Sequence, residues 1–393
     1  MHRRVRTFIF FIFLGIFLIG APGIVLYTAG YRINGNTWKV QQTGVIALST
    51  LPRGASVLLD GTPVSSTTPY VAQRLSPNSY TVTLAKNGYH SWEQSVVVDS
   101  GSTTYITAVL FADAAPELLL EEQALSVTGD ASGRFIDVLV QSSTGATREI
   151  WQYDTVTHLQ HKIATVSALV THIALSHNES ALFLDGDPTT PAMNIADGRI
   201  LSSVERTALE SLLPEYSFFD NGSNTEMRST TDQSLVTLLP SSTYTPVFRS
   251  STIAILRDSR KHAYLVNLGS HSVTQIDIPT DILSASSSEN LLGATDGSEI
   301  DVYNPQNGDK ALLVRQSDPI LALSWHSSDR VLLFATSSKI LAIERDKYET
   351  RETTTLLDNA TIMNMWPDST GKMITFFGTV YGITGIWKLA LAL

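Results

Sequence analysis

"ILALSWHSSDRVLLFATSSKILAI", residues 320–343, carries the plan of most of the chain. An apolar run, 320–325, meets the polar turn His326-Ser327-Ser328-Asp329, and a second apolar run, 331–335, returns from it. Ser337, Ser338 and Lys339 then turn the chain into a third apolar run at Ile340. Short apolar runs bounded by Ser, Asp, Asn and Gly read as strands joined by tight turns. Working outward, the same order recurs: "SVTGDASGRFIDVLV" leads to "REIWQYDTVTHLQHKI", and "IALSHNESALFLDGD" to "AMNIADGRILSSV". Further units begin at "STIAILRDSRKHAYLVNL", at "ILSASSSENLLGATDG" and at the terminal "IMNMWPDSTGKMITFFGTVYGITGIWKLAL".

The openings are spaced by roughly 30 to 50 residues, close to the propeller-blade period of about 40 to 45. A helical solenoid would need long stretches of 3.6-residue period, and only "VERTALESLLPE", residues 204–215, has one. It reads as an insertion between blades. With a degenerate unit at 216–239, the count is about seven blades, with six the alternative. The last unit ends after a third strand, "GIWKLALAL", so Glu117 to Glu121 in "APELLLEEQ" is expected to supply the fourth and close the ring. "WHSSDRVLLFA" and "WPDSTGKMITFF" resemble the Ser-Pro-Asp-Gly hairpins of TolB-like and WD-repeat propellers, and "EIWQYD" and "GIWKLA" resemble their third strands.

A different pattern precedes the repeats. In "LPRGASVLLDGTPVSSTTPY", residues 51–70, the alternating run Ala55 to Leu59 ends in Asp60-Gly61, a hairpin signal because Gly tolerates positive φ. Strands at Tyr80–Leu84 and Tyr89–Val98 are expected to flank the Asn87-Gly88 turn. The set Pro52, Arg53, Gly54, Ala55, then Asp60-Gly61, Thr68-Pro69 and "NSYTVTLAKNGY" with Gly88 and Tyr89 resembles a PEGA domain over about residues 44–112. Arg53 stands where the family name has Glu, and Asn78 where a Gly is usual. The resemblance implies a small extracytoplasmic β-sandwich and no chemistry.

Location is written at the start. Arg3, Arg4 and Arg6 precede Phe8 to Tyr27, twenty residues without a charge. Twenty helical residues span about 30 Å, the hydrocarbon thickness of a bilayer. The span exceeds the apolar core of a signal peptide, about 7 to 15 residues. It is read as an uncleaved lipid-bilayer anchor, and cleavage near Thr28-Ala29-Gly30 is the rival. The flanking arginines put the N-terminus in the cytoplasm and the remainder outside.

The fold class expected is therefore all-β: a transmembrane helix, a small PEGA β-sandwich, then a six- or seven-bladed β-propeller. The divisions are 1–30 tip and anchor, 31–43 linker, 44–112 sandwich, 113–125 linker with closing strand, and 126–393 propeller. The chain has 27 basic and 37 acidic residues. Residues 113–393 hold 19 of the former and 34 of the latter, a net of −15. Such a segment is a poor nucleic-acid binder, since that affinity rests on neutralising phosphates. With no cysteine, disulfides, cysteine catalysis and Cys-based zinc sites are excluded.

Motifs of catalysis are not found: no G-x-S-x-G, H-E-x-x-H or G-x-x-x-x-G-K-[ST] occurs. His158, His161, His172 and His177 are the metal candidates, but their spacing does not set two on one strand face, where neighbours differ by two. Asp185-Gly186-Asp187 and Asp296-Gly297 carry oxygen ligands suited to calcium, yet read first as hairpin turns. Trp151, Trp325, Trp366 and Trp387 recur at equivalent positions and read as blade core rather than sugar platforms. Asn178, Asn221 and Asn359 head N-x-S/T sequons. Tyr70, His90 and Trp92 are expected as exposed ligand contacts on the PEGA module. No cofactor or metal is assigned. The reading is a non-enzymatic cell-envelope protein binding a protein or polysaccharide outside the cell; a spacer without ligand and a propeller-based hydrolase or lyase are the alternatives.

Overall fold

The computed structural model describes residues 3–28, 30–33, 40–348 and 351–392. Ala29 of the cleavage candidate and the middle of the 31–43 linker lie outside the described residues. The chain divides into two units, Met1–Phe111 with Asp346–Glu352, and Ala112–Arg345 with Thr353–Leu393.

Unit 1 opens with helix α1, Arg3–Thr28. Its segment Phe8–Thr28 is long and apolar enough to cross a membrane. The apolar side chains lie all round it, with Phe8, Phe13 and Ile19 exposed by 67%, 67% and 80%. A helix apolar on every face has no partner in water and suits lipid. Two short strands in the expected linker, Tyr31–Ile33 and Val40–Gln42, pair antiparallel.

A sandwich follows, as the sequence implies. One sheet is ordered Tyr70–Leu75, Gly44–Leu51, Thr103–Val109, the last pair parallel; the other is ordered Thr62–Ser65, Ser56–Leu59, Asn78–Ala85, Trp92–Val98. Asp60 at φ 48° and Gly61 at φ 73° form the two-residue hairpin turn that their pair signals. Pro52 and Pro69 both follow cis peptide bonds. Ala55 is fully buried, and its N–H donates to Thr68 Oγ1 at 3.1 Å. The strand expected from Tyr89 instead begins at Trp92. The reason is local: the Tyr89 N–H closes a turn onto the Lys86 carbonyl, with Gly88 at φ 79°, and the His90 N–H donates to the Phe111 carbonyl.

Trp92 is only 2% exposed, which corrects its reading as a surface contact. It is the first residue of a strand whose alternate side chains, Trp92, Gln94, Val96 and Val98, all point inward. Its ring meets Tyr348, centroids 6.0 Å apart and nearly perpendicular. Tyr348 belongs to the short excursion Asp346–Glu352, where Glu352 also accepts a hydrogen bond from Gln94 at 2.9 Å. Burial raises the Glu352 carboxyl above its ordinary range, against the bond from Gln94.

Unit 2 is a ring of seven sheets among the described residues, spanning 126–167, 172–201, 216–240, 244–276, 282–315, 320–357 and 361–390. We number them blades 1 to 7. Six have four antiparallel strands and blade 3 has three. Blade 7 takes its outer strand from the start of the unit: Glu117–Glu121 pairs antiparallel with Ile383–Ala390. Blades lying between two close neighbours are covered on both faces, which is why second strands such as Val331–Thr336 are buried at every residue and read as unbroken apolar runs. Shared cores join blades 1 and 2 through Leu139, Ile150, Ile173 and Leu182, and blades 7 and 1 through Phe377, Ile386, Val127 and Ile136. Others join 3 to 4, 4 to 5 and 5 to 6. The 204–215 patch forms helix α2, Ser203–Glu210, started by a capping box between Ser202 and Glu205.

One buried charge stands out on blade 1. Asp137 is 1% exposed, accepts one hydrogen bond from Gln152 at 2.9 Å, and burial pushes its carboxyl up to about 7. Between the ordinary carboxylate range and pH 7 the folded chain keeps a proton that the unfolded chain has released. Its stabilising contribution is complete below about pH 4 and is lost as pH rises through 7. Asp137→Asn should therefore gain at least about 1 kcal/mol over wild type at pH 8 and little at pH 4, read by urea unfolding. Trp92→Ala should cost about 3–5 kcal/mol of unit 1 stability, and Tyr348→Ala about 0.5–1.5 kcal/mol, measured on the full chain. Deleting residues 117–121 should lower the melting temperature of unit 2; an unchanged value would show that the ring closes without that strand.

Candidate binding groove

In five blades the turns between first and second strands share one construction. In Asp130–Gly133, Ser176–Glu179, Ser286–Glu289, His326–Asp329 and Asp368–Gly371, the fourth residue's N–H returns to the first residue's carbonyl at 2.8–3.1 Å. That fourth residue has positive φ in every case, from 53° at Glu289 to 70° at Gly371. Its side chain is then free to reach the preceding blade. Glu179 accepts from the Ala131 N–H at 2.8 Å, and Asp329 from the Ser287 and Ser288 N–H groups at 2.7 and 3.0 Å. Where the neighbouring backbone comes too close, the position is glycine. A Cβ on Gly133 would meet the Trp366 carbonyl at 2.9 Å.

Between blades 4 and 5 this construction leaves a cavity of about 690 Å³. Such a volume lies within the ordinary range of ligand sites, about 300–1,000 Å³. Ser251, Thr252, Asn267, Thr274, Ser287, Asn290 and Gln306 give it hydroxyl and amide walls over the apolar Ile253, Leu265 and Pro305. Its carboxylate, Glu289, accepts from Ser251 Oγ at 2.6 Å and from the Ser251 N–H at 3.3 Å. The Ser251 hydroxyl holds Glu289 below the usual carboxylate range, so it is ionised and already engaged as an acceptor. What the groove offers a ligand is neutral donors and acceptors. That chemistry matches hydroxyls, amides and backbone groups.

The residues singled out from sequence are placed elsewhere. Tyr70 is partly buried against the sandwich core, and His90 is half-buried. The four candidate histidines are dispersed: His158 Nδ1 meets the Tyr153 hydroxyl at 3.0 Å, His172 Nδ1 meets Ser126 Oγ at 2.8 Å, and His177 lies beside α2. Asp187 accepts from both the N–H and hydroxyl of Thr189, and Asp296 from the N–H and hydroxyl of Ser298, as turn residues do. Trp325 and Trp387 are 7% and 4% exposed within their blades. Ser251 and Thr252 of the groove come from "SST" at 250–252, and Ser287 to Asn290 from "SSSEN" at 286–290, stretches that read only as turns. Their density in hydroxyls beyond what a turn needs was the available signal.

Two solved structures illustrate the similarity of this chain to others. A chain of the "Crystal Structure of Mitotic Checkpoint Complex" is 10% identical with a TM-score of 0.43, covering 71% of this chain and 90% of its own. A chain of "Kuenenia stuttgartiensis Hydrazine Synthase" is 9% identical with a TM-score of 0.42, covering 68% and 95%. No curated protein matches the chain. The seven-sheet ring rests on the strand pairing described above. For the smaller unit a family is matched, and residues 43–112 are a PEGA domain.

Proposed function

We propose that the protein is a membrane-anchored, extracytoplasmic, non-enzymatic binding protein whose propeller takes a protein or polysaccharide of the cell envelope. The observation that carries this is the groove between blades 4 and 5, large enough for a ligand and walled by neutral hydrogen-bonding groups. Location is supported by α1, by the arginines Arg3, Arg4 and Arg6 before its apolar span, and by the PEGA domain, a kind of module found outside cells. The acidic balance of the later chain suits a soluble surface displayed outside the membrane.

Two experiments test the reading. The full chain in lipid nanodiscs, used as bait for solubilised envelope, should retain a saturable protein or sugar partner. Thr274→Arg combined with Asn290→Arg, both exposed groove positions, should weaken retention at least about tenfold, since each arginine fills the groove and leaves polar groups unmatched. Equal retention by wild type and variant, or none by either, would sink the groove assignment. Because the chain has no cysteine, Ser143→Cys on an exposed turn supplies a unique label. A membrane-impermeant maleimide should label it on intact cells; labelling only after permeabilisation would reverse the orientation.

A further inference from the structure

Blade 3 is short by one strand, and strand direction identifies which. Its last strand, Leu235–Pro240, is followed by the first strand of blade 4, Tyr244–Arg249, after only residues 241–243. So short a link joins strands that run in opposite directions, as fourth and first strands do. Side-chain bonds agree. Thr225, at the start of Asn224–Ser229, donates to the Ser242 carbonyl at 2.7 Å, and Ser242 Oγ lies 3.0 Å from Ser259 Oγ in the second-to-third turn of blade 4. The three strands are thus the second, third and fourth, and the innermost one is missing.

The chain crosses the height of the ring there by α2 and residues 211–215. Arg206 donates to the Pro191 carbonyl and pairs with Asp185, both at one end of blade 2. Leu212 and Pro214 lie with His177 and Asn178, from the opposite end of blade 2, around a cavity of about 330 Å³. Tyr216–Asp220 is left as the edge strand. The bonds Thr230 N–H to Glu215 O and Asn221 N–H to Asn224 O set its phase, so Ser217 and Phe219 bond along the blade. The N–H and C=O of Phe218 and Asp220 point to the open side, and among the described residues neither has a backbone partner. Beside this edge, Phe219 and Leu238 flank Glu226 in one row across the sheet and are each 50% exposed.

We infer that this vacancy is a strand-acceptor site, filled by an extended segment of about five residues from a partner protein, antiparallel to Tyr216–Asp220. The other six blades show what occupies the equivalent place: extended, largely apolar strands such as Ile320–Trp325, with Ile320, Leu323 and Trp325 buried. Main-chain bonds to Phe218 and Asp220 hold such a segment, and apolar side chains beside Phe219 select it, the logic of strand addition at a sheet edge. The site is separate from the groove between blades 4 and 5 and does not depend on it.

The test uses the full chain in nanodiscs and six labelled eight-residue peptides that copy the first strands of the four-stranded blades, read by fluorescence anisotropy. At least one peptide should bind saturably. Its affinity should fall at least about tenfold when its alternate amides are N-methylated, and likewise with Phe218→Pro, while Thr274→Arg leaves it unchanged. The N-methylated peptide keeps the test decisive if Phe218→Pro fails to fold. Binding by none of the six, or binding indifferent to N-methylation, overturns the site. So does hydrogen exchange in which the Phe218 and Asp220 amides are as protected as those of Ser217 and Phe219.

Discussion

The antiparallel pairing of Glu117–Glu121 with Ile383–Ala390 joins the beginning of unit 2 to its end, and the other blades depend on that join. A blade is apolar on both faces, so it is stable only between two neighbours. A linear series of such sheets leaves two apolar faces and two strand edges in water. Closing the series by backbone hydrogen bonds removes both, and the core shared by Val127, Ile136, Phe377 and Ile386 forms because the two ends meet.

In five of the blades, the residue of positive φ in the first-to-second turn sets how one blade touches the last. An acidic residue there spans the gap and caps backbone donors of the preceding turn, as Asp329 does for Ser287 and Ser288. Glycine there allows direct contact, as at Gly371, whose carbonyl accepts from His326 Nε2 at 3.0 Å. With that nitrogen donating, His326 Nδ1 is left to accept from the Ser328 N–H, and burial keeps the ring neutral by lowering its pKa. At the groove between blades 4 and 5 the reaching carboxylate, Glu289, bridges to Ser251, and the turns themselves are built from small hydroxyl residues.

Blade 3 departs from this scheme, and the departure is where the ring is least sealed. Leu213 is fully buried with Met227 and Leu256 between blades 3 and 4, but the opposite face of blade 3 carries the exposed pair Phe219 and Leu238. A helix in place of a strand fills the cross-section unevenly: it carries the chain across but makes no lateral backbone bonds, so the edge it leaves is open.

Periodicity in the sequence determined the repeating strands, the near-sevenfold count, the extra strand at 117–121, the turn at Asp60-Gly61 and the apolar span at Phe8 to Tyr27, because each is a local pattern whose physics acts within a few residues. The burial of Trp92 lies beyond such patterns. What buries it is partly Tyr348, more than 250 residues away in the chain, and no local pattern announces that. The groove was equally hidden, since Ser251, Asn267, Ser287 and Gln306 are ordinary turn residues until two blades bring them together. Which strand blade 3 lacks follows from strand direction, and direction is a property of the folded chain. Sequence determined the elements; tertiary structure alone decided the groove, the open edge and the burial of Trp92, because each is made by surfaces distant in the chain.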